Sequence, residues 1–194
     1  MNWLENLLII GGISFDVFTA MESQGSLVAK IAKKELILSS LLACAWQAIA
    51  FGVGYVLSAI LMRQNRIAAN DQMIGTGIAI SIFAGLGAHL LLKAIQREKF
   101  DERRAEGFDR QKIFQGFFGC SVYTLLAGIA FGFVSPSDVA LCLAMIAAMS
   151  VLAVVAGVYT GYHFGMKQRR RAYALGAALL WMVGADLLVK LVLL

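Results

Sequence analysis

One carboxylate stands in the middle of an apolar run. Asp16 lies in Gly12-Ile13-Ser14-Phe15-Asp16-Val17-Phe18-Thr19-Ala20, flanked by glycines and small residues. A charged group at the centre of a bilayer costs on the order of 2.5–3.5 kcal/mol on insertion scales, so it normally faces a cavity or a partner. Two kinds of chemistry would justify that cost: binding a cation, or carrying a proton. A structural hydrogen bond to a neighbouring helix is the plainer alternative, and the functional reading is preferred. His89 and Asp186 are two more ionisable groups inside apolar segments. They could pair with each other, each serve a proton path, or simply be hydrogen-bonded packing groups. Gln47, next to Trp46, offers an acceptor oxygen to a cation and a donor to a carboxylate. Its plainer role is glue between helices, worth about 0.6–2 kcal/mol. Ser14, Ser121 and Tyr123 complete the polar candidates for a cation site. Glu22 lies further along the first segment and is read as an interfacial charge. Lys93 and Lys190 follow His89 and Asp186 by one helical turn and can reach them along their own helices. Snorkelling to the interface is the simpler account of both lysines.

The elements that must position these groups are transmembrane helices. Of the 194 residues, 60% are hydrophobic and 15% charged, against roughly 25% charged in a soluble domain. Six apolar segments approach or exceed the roughly 20 residues of helix that cross a bilayer. They fall near residues 4–22, 36–62, 73–95, 113–134, 137–165 and 172–194, the second and fifth being long enough to tilt. The first segment is not read as a cleavable signal, because no basic stretch precedes it and it contains Asp16. Cys44, Cys120 and Cys142 have neither metal-ligand nor disulfide spacing and read as buried thiols. Met21 reads as a gap-filler before it reads as a soft-metal ligand. No phosphate-binding Gly loop, Cys or His metal cluster, or nucleophile–base pair is present. The chain is therefore expected to be neither an enzyme nor the holder of a cofactor.

Loop charge sets the orientation. Thirteen basic residues sit in three loops: Lys30, Lys33 and Lys34; Arg97, Lys99, Arg103, Arg104, Arg110 and Lys112; Lys167, Arg169, Arg170 and Arg171. The opposite side has only Arg63, Arg66 and Lys190. Positive loops stay in the cytoplasm, so both termini are expected outside the bacterial inner membrane. The net charge of +5 thus marks topology, not nucleic-acid binding. The expected partners are the lipid bilayer, a transported cation or small solute, and a second copy of the chain if it is a homo-oligomer.

The chain also repeats itself. Gly12–Ala20 matches Gly119–Ala127, with Gly, Ser and the final Ala in register and Tyr123 opposite Asp16. Gly87-Ala88-His89-Leu90-Leu91-Leu92-Lys93 matches Gly184-Ala185-Asp186-Leu187-Leu188-Val189-Lys190 at five of seven positions, with His89 opposite Asp186. Residues 1–96 and 113–194 are thus read as two three-helix repeats, joined by a cytoplasmic linker at 97–112 whose charges are of mixed sign. Three is odd, so the second repeat enters the membrane inverted. That architecture is frequent among secondary transporters, which bind substrate at the repeat interface.

The segment Gly12–Ala20 resembles the first-helix motif of the MntP-type bacterial manganese exporters, a small-residue stretch around Met-Asp-Ala-Phe-Ala. The resemblance runs through the whole chain, including the Lys-rich first loop, Gly119–Phe133 and Gly157–Gly184. It implies an all-α polytopic fold of six helices in two inverted repeats. It also implies efflux of Mn2+ or another divalent cation, here expected to be coupled to protons. Asp16 would be the central site, with Gln47, Ser14, Ser121 and Tyr123 around it and His89 and Asp186 as a second polar pair. The chain departs from the family pattern at three acids: Tyr123 replaces the second Asp, Gln47 a Glu, and Lys93 stands near another Glu. The lost acids keep two alternatives open. One is a diverged transporter of an amino acid or organic cation; the other is a non-transporting membrane partner.

Overall fold

The computed structural model describes residues 3–28, 30–64, 71–96, 110–134 and 139–193. Among them the chain forms six α-helices: α1 Trp3–Leu27, α2 Lys33–Gln64, α3 Asp71–Ile95, α4 Arg110–Val134, α5 Val139–Phe164 and α6 Arg169–Leu193. Each covers one of the apolar segments expected from the sequence. The main extension is at the end of α1, where Ser23 and Ser26 continue the helix past the apolar run. Their hydroxyls donate to the Ala20 and Ser23 carbonyls on the preceding turn at 2.7 and 2.8 Å, so they need no outside partner.

α5 and α6 are separated by a single 3-10 turn, Gly165–Gln168, in which Met166 leaves helical geometry at φ −86 and ψ 18. Gly165 has φ +63. A glycine in the left-handed region is the commonest way to end a helix, because a Cβ would be strained there.

Among the described residues, five helical stretches are long and apolar enough to cross a membrane; the last, Val139–Leu193, runs through α5, the turn and α6. The distribution of side chains suits a lipid surround. Ile37, Leu38, Leu41, Ile49, Val53 and Ile60 of α2 are exposed, while Glu5, Asn6, Asp16, Glu22, Gln47 and Thr124 are buried. Such an extended apolar surface would be costly in water and costs nothing against acyl chains. The chain is an all-helical, multi-pass membrane protein.

α1 packs against α4, α5 and α6, α2 against α4 and α5, and α3 against α4 and α6. Glycines let backbones meet where the driving force is packing, not water exclusion. A Cβ on Gly157 of α5 would stand 2.5 Å from the Phe18 carbonyl oxygen of α1. Gly25 of α1 lies equally tight against Val158 of α5. The α2–α4 interface uses the same device, with Gly54 against the Leu125 carbonyl, Gly128 against Phe51 and Gly132 against Ser58. Met21 is fully buried among Val17, Phe117 and Val154, which makes it a gap-filler. Cys120 and Cys142 are buried and Cys44 is partly so.

Candidate functional site

Asp16 sits halfway along α1 and is 2% exposed. Its Oδ1 accepts a hydrogen bond from Lys93 Nζ of α3 at 3.1 Å. Asp16 Oδ2 has no hydrogen-bond partner, and the buried Cys120 thiol of α4 stands near the same carboxylate. The ammonium also lies 4.7 Å from the ring centroid of Tyr123 on α4 and 5.6 Å from that of Tyr173 on α6. Both distances are within cation–π range. Four helices therefore converge on one ion pair. His89, one turn before Lys93, meets the Tyr123 ring edge-on at 5.6 Å. An open cavity of about 500 Å³ lies between α3 and α4, with exposed Ser81, Gly85, His89 and Val122 at its mouth and Lys93 and Tyr123 also lining it.

This corrects the snorkelling account of Lys93. A long cationic side chain turns to the interface when nothing inside compensates its charge. Here a buried carboxylate on the neighbouring helix does so, and attraction in a medium of low dielectric outweighs the entropy of a free chain end.

Ser14 and Gln47 belong to a second polar centre on a different face of α1. With Thr124 of α4 and Ser150 of α5 they line a cavity of about 10 Å³, close to the volume of one water position. Thr124 Oγ1 donates to Gln47 Oε1, Ser14 Oγ donates to the Ile10 carbonyl at 2.7 Å, and Gln47 Nε2 has no partner. Ser14 and Asp16 are two residues apart on a helix, about 200° around its axis, so they cannot serve one small site. The expected cation set is thus divided: Asp16 and Tyr123 share one centre, Ser14 and Gln47 the other. Ser121 joins neither; its hydroxyl bonds the Phe118 carbonyl of its own helix at 2.6 Å.

His89 and Asp186 do not pair. Asp186 Oδ2 accepts from Lys190 Nζ at 2.6 Å, one turn along α6, in place of the simpler snorkelling account, and the same ammonium reaches Glu5 Oε1 of α1 at 2.8 Å. Glu5 is buried. Glu22, read from the sequence as an interfacial charge, lies beside the α5–α6 turn and points inward. It is fully buried, and its Oε1 accepts from the Gln168 amide of the α5–α6 turn at 3.2 Å. Gly161 of α5 lies so close to the Glu22 backbone that no water layer fits between the helices. Glu5, Thr124, Ser150 and Tyr173 were not singled out by sequence reasoning. Ser150, a hydroxyl alone in Ala147-Ala148-Met149-Ser150-Val151, was the one with a visible signal. Among the described residues no three His, Cys, Asp or Glu side chains gather as a metal-holding group.

Together the helices and the Asp16–Lys93 ion pair define a polytopic membrane protein with a charged centre between its helices. The family model described as "Putative manganese efflux pump" matches residues 30–188, and the chain belongs to that family, one of transporters and not of enzymes. Two bacterial proteins bearing the same description, with the name MntP, are similar along nearly their whole lengths. That of Bifidobacterium adolescentis is 23% identical over 188 residues, covering 96% of each chain. That of Bifidobacterium longum subsp. infantis is 21% identical over 187 residues, covering 96% of this chain and 94% of its own. No solved structure matches the chain.

Proposed function

We propose that this chain exports manganese, or a divalent cation of like chemistry, across the bacterial inner membrane in exchange for protons, with Asp16 as the carboxylate that receives the cation. The observation that carries this reading is a buried mid-membrane carboxylate with one oxygen unpartnered. Manganese prefers oxygen donors, and the two Bifidobacterium relatives, similar along almost the whole chain, are named for manganese efflux.

Six crossings in two inverted repeats suit this function, α1–α3 forming one repeat and α4–α6 the other. Helix pairing supports it. Phe18 and Leu125 hold the same place in the repeat that aligns Gly12 with Gly119. Gly157 presses on the Phe18 carbonyl as Gly54 presses on that of Leu125. Gly25 and Gly132 are related in the same way, and they meet α5 and α2 respectively. Alternating access follows if one repeat rocks against the other. Loop charge puts both termini outside.

A second reading is favoured by the Asp16–Lys93 pair itself. A carboxylate beside an ammonium complements the two charges of a zwitterionic solute such as an amino acid. The deciding experiment is manganese tolerance in bacterial cells lacking their own exporter, comparing this chain with Asp16→Asn. Rescue by the unaltered chain alone supports manganese export through Asp16. No rescue from protein shown to be in the membrane rules manganese out and makes a solute screen the next step.

A further inference from the structure

We propose that Lys93 is a tethered counter-cation of the Asp16 site, whose ammonium occupies the carboxylate until a substrate cation displaces it. The inference rests on the reading of Asp16 as the cation-receiving carboxylate.

The charge count makes displacement necessary. Asp16 supplies one negative charge, and Lys93 Nζ already stands 3.1 Å from its Oδ1. A divalent ion is dehydrated on entering the protein and needs anionic oxygen in return. With the ammonium in place the pair is neutral, and a second cation within about 4 Å meets repulsion comparable to the attraction of one carboxylate. The ion therefore binds well only after the ammonium moves away.

The geometry makes displacement feasible. Asp16 Oδ2 has no hydrogen-bond partner, so an arriving cation can engage that oxygen while Nζ still holds Oδ1. Lys93 has a flexible four-carbon stem, and its side chain is 30% exposed. The cavity of about 500 Å³ between α3 and α4, open along exposed Ser81, Gly85 and His89, gives the displaced ammonium room. Tyr123 lines that cavity and lies 4.7 Å from Nζ, so its ring can keep hold of the charge during the move. After the cation leaves, the ammonium returns and the empty site is neutral again. A carrier must release what it binds, and the returning lysine competes for the carboxylate at that step.

The test is isothermal titration of MnCl2 into the detergent-solubilised full chain, with Asp16→Asn as the non-binding control. Lys93→Met removes the competitor, and Mn2+ is expected to bind tenfold or more tighter. Lys93→Arg keeps the charge but offers a planar fork that can take both carboxylate oxygens. There Mn2+ is expected to bind tenfold or more weaker. If Lys93→Met does not fold, Lys93→Arg decides alone. Unchanged affinity in a folded variant overturns the role of Lys93 while leaving the Asp16 reading intact, provided the unaltered chain binds and Asp16→Asn does not. Absence of Mn2+ binding to the unaltered chain overturns the cation reading and this inference with it.

Discussion

Lys93→Met is expected to be far more destabilising than Asp16→Asn, although each breaks the same ion pair. At the observed 3.1 Å separation and an effective dielectric of 20, the attraction is roughly 5 kcal/mol. Desolvation of both groups cancels much of this on folding. What a mutation reveals is the cost of the charge left behind. Removing one partner of a buried pair typically costs about 3–5 kcal/mol. The lower end, about 3 kcal/mol, applies to Lys93→Met, because the lysine side chain is 30% exposed and the pair is not fully dry. Asp16 is 2% exposed and has nowhere to go. Asp16→Asn strands the ammonium instead, which can swing into the neighbouring cavity, so its cost is about 1 kcal/mol. The double variant carries no stranded charge and should recover to within about 1 kcal/mol of the unaltered protein. Denaturant unfolding in detergent, followed by circular dichroism, gives all four corners of the cycle. A loss below about 1 kcal/mol in Lys93→Met, or a double variant no more stable than that single one, would refute the reasoning. Lys93→Met is thus expected to bind the cation better and to fold less stably, so the competing lysine is also the group that stabilises the empty protein.

Gly157→Ala and Gly54→Ala should each cost about 1–3 kcal/mol in thermal unfolding, because each new methyl group meets a facing carbonyl. Gly52→Ala faces open space and should stabilise by about 0.5–1 kcal/mol through helix propensity, which makes it the control. Asp186→Asn should change stability by less than about 1 kcal/mol and leave manganese tolerance intact, since both partners are 46% exposed and Lys190 keeps its bond to Glu5. Gln47→Leu should cost about 0.6–1.7 kcal/mol in the same unfolding assay, the usual worth of one interhelical hydrogen bond in a membrane protein.

Much of the fold is legible in the chain because a bilayer imposes a one-dimensional rule. Backbone groups with no water to bond must close their hydrogen bonds within a helix, so apolar length alone locates α1 to α6. The proposed repeat rests on sequence in the same way, on the matches of Gly12 with Gly119 and Gly87 with Gly184. A single acid among apolar neighbours is costly enough that Asp16 stands out without any structure. The partners of that acid are a different matter. Lys93 lies 77 residues away, and its place in the sequence points to its own helix or, more simply, to the interface. Only the packing of α3 against α4 and α6 turns the ammonium inward onto α1. Helical spacing already puts Ser14 and Asp16 on different faces of α1; the packing decides that Ser14 meets Gln47 and Thr124 while Asp16 meets Lys93. Sequence by itself determined the apolar helices and the one carboxylate that had to be compensated. Tertiary structure decided what compensates it, because charge neutralisation acts through a few ångströms of space and not along the chain.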